Sequence, residues 1–150
     1  MTDEGVFHAF NGNTEITDMT EFKYFTNASI SGEVWHTDYL LRDLTNLRKI
    51  DFPDHITNIP SVARSNNNLG YKGALMGCTS LTSVHYPNNA TDISFYGACT
   101  PPILDLRNTK LTGIGFDGVT TMIEIYLPST MTNIGSRAFF GCSNLKKIVI

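Results

Sequence analysis

The chain repeats itself, and no other feature constrains its fold as much. Leu47-Arg48-Lys49-Ile50-Asp51-Phe52-Pro53, Leu81-Thr82-Ser83-Val84-His85-Tyr86-Pro87, Met122-Ile123-Glu124-Ile125-Tyr126-Leu127-Pro128 and Leu145-Lys146-Lys147-Ile148-Val149-Ile150 share one pattern, L-x-x-I-x-I-P. Its I-x-I core alternates as a short strand with one buried face, and Pro ends the strand where no further ladder donor is required. Leu104-Asp105-Leu106 is a weaker fifth copy, with Arg107 in the Pro place. A second phrase follows the strands: Ile56-Thr57-Asn58-Ile59, Ala90-Thr91-Asp92-Ile93, Leu111-Thr112-Gly113-Ile114 and Met131-Thr132-Asn133-Ile134. A third closes the unit, Ala74-Leu75-Met76-Gly77-Cys78 and Ala138-Phe139-Phe140-Gly141-Cys142, with a looser Phe95-Tyr96-Gly97-Ala98-Cys99. Units counted from Cys78 to Cys99 to Val119 to Cys142 recur every 20 to 23 residues. One such unit cannot bury its apolar side alone, and stacking makes a continuous core, so the pattern predicts a β-rich solenoid with a parallel sheet.

The cysteines are repeat positions in this reading, buried thiols rather than metal ligands or disulfide partners. Val119 stands at the same position, and Val fills a slot but cannot ligate a metal. The composition agrees. Of 150 residues only 17% are charged, and the polarity rests on Thr, Asn and Ser, which suit turns and strand surfaces. A net charge of −3 without a Lys/Arg cluster argues against a nucleic-acid partner. No apolar stretch approaches the ~18 residues of a membrane span, and the start MTDEGVFHAF has neither the basic nor the apolar region of an export signal.

Two stretches depart from the repeat. Residues 44–150 read as about five coils, with a polar insertion near 60–73 that includes Arg64-Ser65-Asn66-Asn67-Asn68-Leu69-Gly70. Residues 1–43 read as an N-terminal cap with degenerate repeat character. Thr20 is its expected helix N-cap, ahead of Glu21-Phe22-Lys23-Tyr24-Phe25, and Ile30, Val34, Trp35, Leu40, Leu41 and Leu44 are its apolar residues.

The run from Leu127 to Gly135, Ala138-Phe139-Phe140-Gly141-Cys142 and Asn144-Leu145-Lys146-Lys147-Ile148 resemble the BspA-type leucine-rich repeat of bacterial surface antigens. The resemblance spans roughly residues 44–150, and Asn13-Thr14-Glu15-Ile16-Thr17 looks like the lead-in of such arrays. It implies a leucine-rich-repeat array that binds proteins or cells, without catalysis and without a cofactor. It also implies a place on the bacterial surface or outside the cell once a signal is removed. Similar modules on phage virions give the alternative of a structural or decoration subunit.

No nucleophile elbow, phosphate loop, H-E-x-x-H, C-x-x-C or calcium loop is present. His36 with Asp38, and His55 with Asp51 and Asp54, are adjacent polar residues near turns, and no enzyme is expected from them. Strand alternation instead singles out the residues facing away from the core. One outward row is Asp51, His85, Asp105, Tyr126 and Val149, and the next is Lys49, Ser83, Ile103, Glu124 and Lys147. Within them Asp51, His85, Asp105, Tyr126, Lys49 and Glu124 are expected to form one extended face for a protein partner, with Tyr126 as its anchor. The final Lys147-Ile148-Val149-Ile150 reads as a strand with nothing after it. Ile148, Val149 and Ile150 are therefore expected to form an assembly edge toward a second copy or another protein.

Overall fold

Strands form at every copy of the first phrase and at two copies of the second, Asn58–Ile59 and Asp92–Ile93, because those copies pair with a counterpart in an adjoining repeat. The computed structural model describes residues 10–25, 41–59, 75–93, 95 and 98–150. The insertion at 60–73, and Ile30, Val34, Trp35 and Leu40 of the expected cap, lie outside the described residues. The strands are β1 (Asp18–Met19), β2 (Lys49–Asp51), β3 (Asn58–Ile59), β4 (Ser83–His85), β5 (Asp92–Ile93), β6 (Ile103–Asp105), β7 (Glu124–Tyr126) and β8 (Lys147–Val149). All pairing among them is parallel. β1, β2 and β4 make one sheet, β6, β7 and β8 a second, and β3 with β5 a third, formed by the second phrase.

The lead-in is itself a repeat. Asp18 pairs with Lys49 and Met19 with Ile50, and the Arg48 amide donates to Thr17 O as the Thr82 amide does to Arg48 O. Asn46 Nδ2 donates to Thr14 O and Asn144 Nδ2 to Thr120 O, the same inter-unit bridge at opposite ends of the molecule. No α-helix occurs among the described residues. The segment expected to be helical is a 3-10 helix, Thr20–Tyr24, whose N-cap is Met19 without a side-chain cap bond. Thr20 is not the cap, because its own amide is bound by the Asp18 carboxylate at 2.8 Å.

The row of strands is broken between β4 and β6, where a proline removes one of the linking donors. In every other unit the residue just before the strand donates its amide to the preceding unit: Arg48 to Thr17 O, Thr82 to Arg48 O, Ile123 to Pro102 O and Lys146 to Ile123 O. Pro102 holds that place ahead of β6 and has no N–H to give. The units still adjoin there, through the Cys99 amide on Leu75 O and the Lys110 amide on Ala90 O.

Burial follows the expected alternation in β2, β4, β6 and β7, whereas in β8 it inverts, Ile148 being exposed and Val149, expected in the outward row, half-buried. Ile50 and Phe52, Leu104 and Leu106, and Ile125 and Leu127 are buried, while Lys49, Ser83, His85, Ile103 and Asp105 are exposed. Each fully buried Leu, Ile or Phe stabilises the fold by roughly 1.5–3 kcal/mol relative to leaving it in water. Ring contacts run through the whole stack: Phe22 to Phe52, Phe52 to Tyr86, Tyr86 to Phe95, Phe95 to Phe116 and Phe116 to Phe139, with centroids 4.5 to 6.2 Å apart.

One repeat position is corrected. The turn bond that brings the Cys78 amide to Leu75 O recurs as Ala98 to Phe95 O, Val119 to Phe116 O and Cys142 to Phe139 O. Ala98, rather than Cys99, therefore occupies the cysteine position, and Cys99 follows it. At that position the thiols of Cys78 and Cys142 each donate, at 3.0 Å, to a carbonyl of the preceding unit, Leu41 O and Phe116 O. All three cysteines are free thiols. Burial pushes Cys78 up to about 12 and raises Cys99 and Cys142 as well, which keeps the thiols protonated at neutral pH.

Candidate functional site

The outward rows exist as two three-strand surfaces rather than one unbroken sheet. In the first, Lys49 lies beside Ser83 and Asp51 beside His85. In the second, Ile103, Glu124 and Lys147 lie side by side, as do Asp105, Tyr126 and Val149. The structure thus brings together Lys49, Asp51 and His85, and separately Asp105, Glu124 and Tyr126. The Pro102 break divides them.

The two surfaces differ in how their polar groups are satisfied. Asp51 receives Lys23 Nζ from the 3-10 helix at 3.3 Å, so the lead-in folds back onto the face, and the bond holds the Lys23 ammonium above its ordinary value. Around Tyr126 the groups form one network. Its hydroxyl donates to Glu124 Oε2 at 3.0 Å, and Lys147 Nζ donates to the same hydroxyl at 3.0 Å and to Glu124 at 3.2 Å. Arg107 grips Asp105 through Nε at 2.9 Å and Nη2, and its guanidinium lies 4.9 Å from the Tyr126 ring centroid. Lys147 lies 5.2 Å from that centroid. The Arg107 hydrogen bond holds the Asp105 carboxyl below the usual range, and Lys147 followed by Tyr126 does the same for Glu124.

Tyr126 is therefore a braced post, with its ring taken up by two cations of its own chain. The apolar surface available to a partner is Ile103, 60% exposed, together with Ile123 and Pro102 beside it. Alternation alone places Ile103 in the outward row. Its exposure follows from its place on the edge strand β6 and from its one paired neighbour, Glu124, turning toward Tyr126 and Lys147, which no single position of the sequence announces.

Among the described residues no three His, Cys, Asp or Glu side chains come together as a metal site, and no helix is long and apolar enough to cross a membrane. His36 and Asp38 lie outside the described residues, while His55 and Asp54 are exposed. At the far edge Ile148 and Ile150 are exposed, 44% and 80%, and Val149 is half-buried.

Residues 70–150 match the family described as BspA type Leucine rich repeat region, in six copies. The chain belongs to that family. BspA-type repeats are protein-interaction modules, generally non-catalytic and typical of surface or extracellular proteins. No curated protein and no solved structure matches the chain.

Proposed function

We propose that the chain is a non-catalytic adhesion module of a bacterial surface or secreted protein, a leucine-rich-repeat solenoid whose outward strand rows bind a protein partner. Residues 44–150 form the repeat array in this reading, and residues 1–43 a capping segment with a degenerate repeat. The observation that carries it is the shared outward register of Ile103, Glu124 and Lys147 beside Asp105 and Tyr126, with Ile103 bare and Asp105, Arg107, Glu124 and Lys147 held in place by one another and by Tyr126. A preorganised polar rim around an exposed apolar centre suits protein recognition, because little side-chain freedom remains to be lost on binding. The β8 strand at Ile148, Val149 and Ile150 serves as a second contact in this reading.

Beads coated with the protein and allowed to settle on host matrix proteins test this reading. The variant combining His85→Ala, Ile103→Asp and Tyr126→Ala is expected to reduce retention about tenfold or more. Thr91→Glu and Thr132→Glu, on the exposed threonine row of the second phrase, are expected to leave it unchanged. Loss on the threonine side alone would contradict the assignment of the face.

A further inference from the structure

The residue preceding each strand adds a row to the face, and its charge is unlike that of the chain. Along this row and the next lie Asp18, Arg48 and Lys49 at one end, Thr82 and Ser83, then Pro102, Ile103, Ile123 and Glu124, and finally Lys146 and Lys147. Four cations stand here against two carboxylates, in a chain whose acidic residues outnumber its basic ones by 14 to 11. Arg48, Lys49 and Lys146 make no side-chain hydrogen bond or ion pair among the described residues, and of the three Lys49 lies near a carboxylate, Asp18, which the Thr20 amide and, more weakly, Lys49 hold below its ordinary value. An open recess of about 350 Å³, lined by Thr17, Asp18, Arg48 and Lys49, lies at the first of the two basic ends. Between them sits the apolar strip of Pro102, Ile103 and Ile123, all exposed.

Resting on the face assigned above, we infer that its partner is an acidic peptide segment lying across the strands, apolar at its centre and carrying carboxylates toward both ends. Four steps separate Lys49 from Lys147, three of them paired at about 4.8 Å each and one, from β4 to β6, unpaired and at least as wide, so the span is roughly 20 Å. An extended peptide covers that length with about six residues at ~3.3 Å per residue. Its central apolar side chain meets Ile103 and Ile123, and its carboxylates meet Arg48 with Lys49 and Lys146 with Lys147. A uniform polyanion fits less well, since it would set charge against the bare isoleucines, against Asp18 and Glu124, and against a net charge of −3.

Selection of a phage-displayed random dodecapeptide library on the full chain tests the assignment. The selected sequences are expected to carry Asp or Glu on both sides of an apolar residue. For a synthetic selected peptide, fluorescence anisotropy is expected to show about tenfold weaker binding to Arg48→Glu/Lys49→Glu and to Lys146→Glu/Lys147→Glu, with affinity falling as salt rises. The neutral pair Arg48→Gln/Lys49→Gln, with its thermal midpoint checked, keeps the result readable where charge reversal disturbs folding. Basic or uncharged peptides that still lose binding with Ile103→Asp would overturn the acidic partner and leave the face standing. Peptides indifferent to every one of these variants, or no enrichment at all, would overturn both. Heparin binding more tightly than the peptide and displacing it would overturn the peptide in favour of a polyanion.

Discussion

The sheets β1-β2-β4 and β6-β7-β8 carry one repeat and pack it in two ways. In the five units from Leu41 onward two positions lie eleven residues apart, one at the turn and one at the strand end: Leu41 and Phe52, Leu75 and Tyr86, Phe95 and Leu106, Phe116 and Leu127, all buried, and Phe139 and Ile150, half-buried and exposed. Every pair holds one aromatic and one aliphatic side chain. In the first sheet the ring is at the strand end, and in the second it is at the turn. The ladder of rings crosses from one position to the other through the edge contact of Tyr86 with Phe95, 5.4 Å between centroids at 72°. The crossing falls at the same junction as the Pro102 break. A core filled to native density tolerates a ring on either side of a layer, provided the layer volume is kept.

The largest test of this comparison empties a layer. Phe116→Ala is expected to cost ~3–5 kcal/mol by urea denaturation, as a buried ring flanked by Phe95 and Phe139. Phe116→Leu and Leu127→Phe each cost ~1–3 kcal/mol alone, and the double change, which moves the ring to the other side, recovers about 1 kcal/mol or more. Strict additivity would show that the two positions do not share a layer.

Next in size are the left-handed turns. Gly77 and Gly141 have φ of 77° and 74°, where a Cβ costs ~1–2 kcal/mol. A Cβ on Gly77 would also run into the Asp43 carboxylate and lie 3.0 Å from its Cα, whereas on Gly141 it would lie 3.4 Å from Gly118. Gly77→Ala is therefore expected to lower stability more than Gly141→Ala, and the reverse order would mean that the close approach at Asp43 is not what constrains Gly77.

Pro102→Thr is expected to join the two sheets, giving residue 102 an amide protected from hydrogen exchange by Thr82 O. Stability changes by less than ~1 kcal/mol, because the added bond is offset by the lost rigidity of Pro in the unfolded chain. Rapid exchange at that amide would mean that something other than the missing donor parts the sheets.

The last effect is alkaline and vanishes at neutral pH. Because Cys78 is raised from 9.0 to about 12 on folding, its contribution is complete below pH 9 and is lost as pH climbs toward 12. Cys78→Ala is expected to flatten that part of the stability profile, and an unchanged slope would assign it to other groups.

Much of the fold is legible in the repeated phrases, since period and alternation place Ile50, Leu104 and Ile125 inward and set Asp105 beside Tyr126. The sheet break falls at Pro101-Pro102, at a position whose donor role emerges only when the amides of Arg48, Thr82, Ile123 and Lys146 are compared. Cys99 misleads because it matches the motif letter while the turn bond falls on Ala98. The Tyr126 network is out of reach of sequence reasoning, because it depends on how long side chains from β7, β8 and the turn at Arg107 converge.

The proposed function requires the two sheets to act as one binding face across the Pro102 break. Backbone amide shifts recorded while the selected acidic peptide is titrated into the full chain decide whether they do. Perturbations are expected at Lys49 and Ser83 together with Ile103, Glu124 and Lys147, saturating at one common peptide concentration. Perturbations confined to one sheet, or appearing at Thr91, Thr112 and Thr132 instead, would refute the single face.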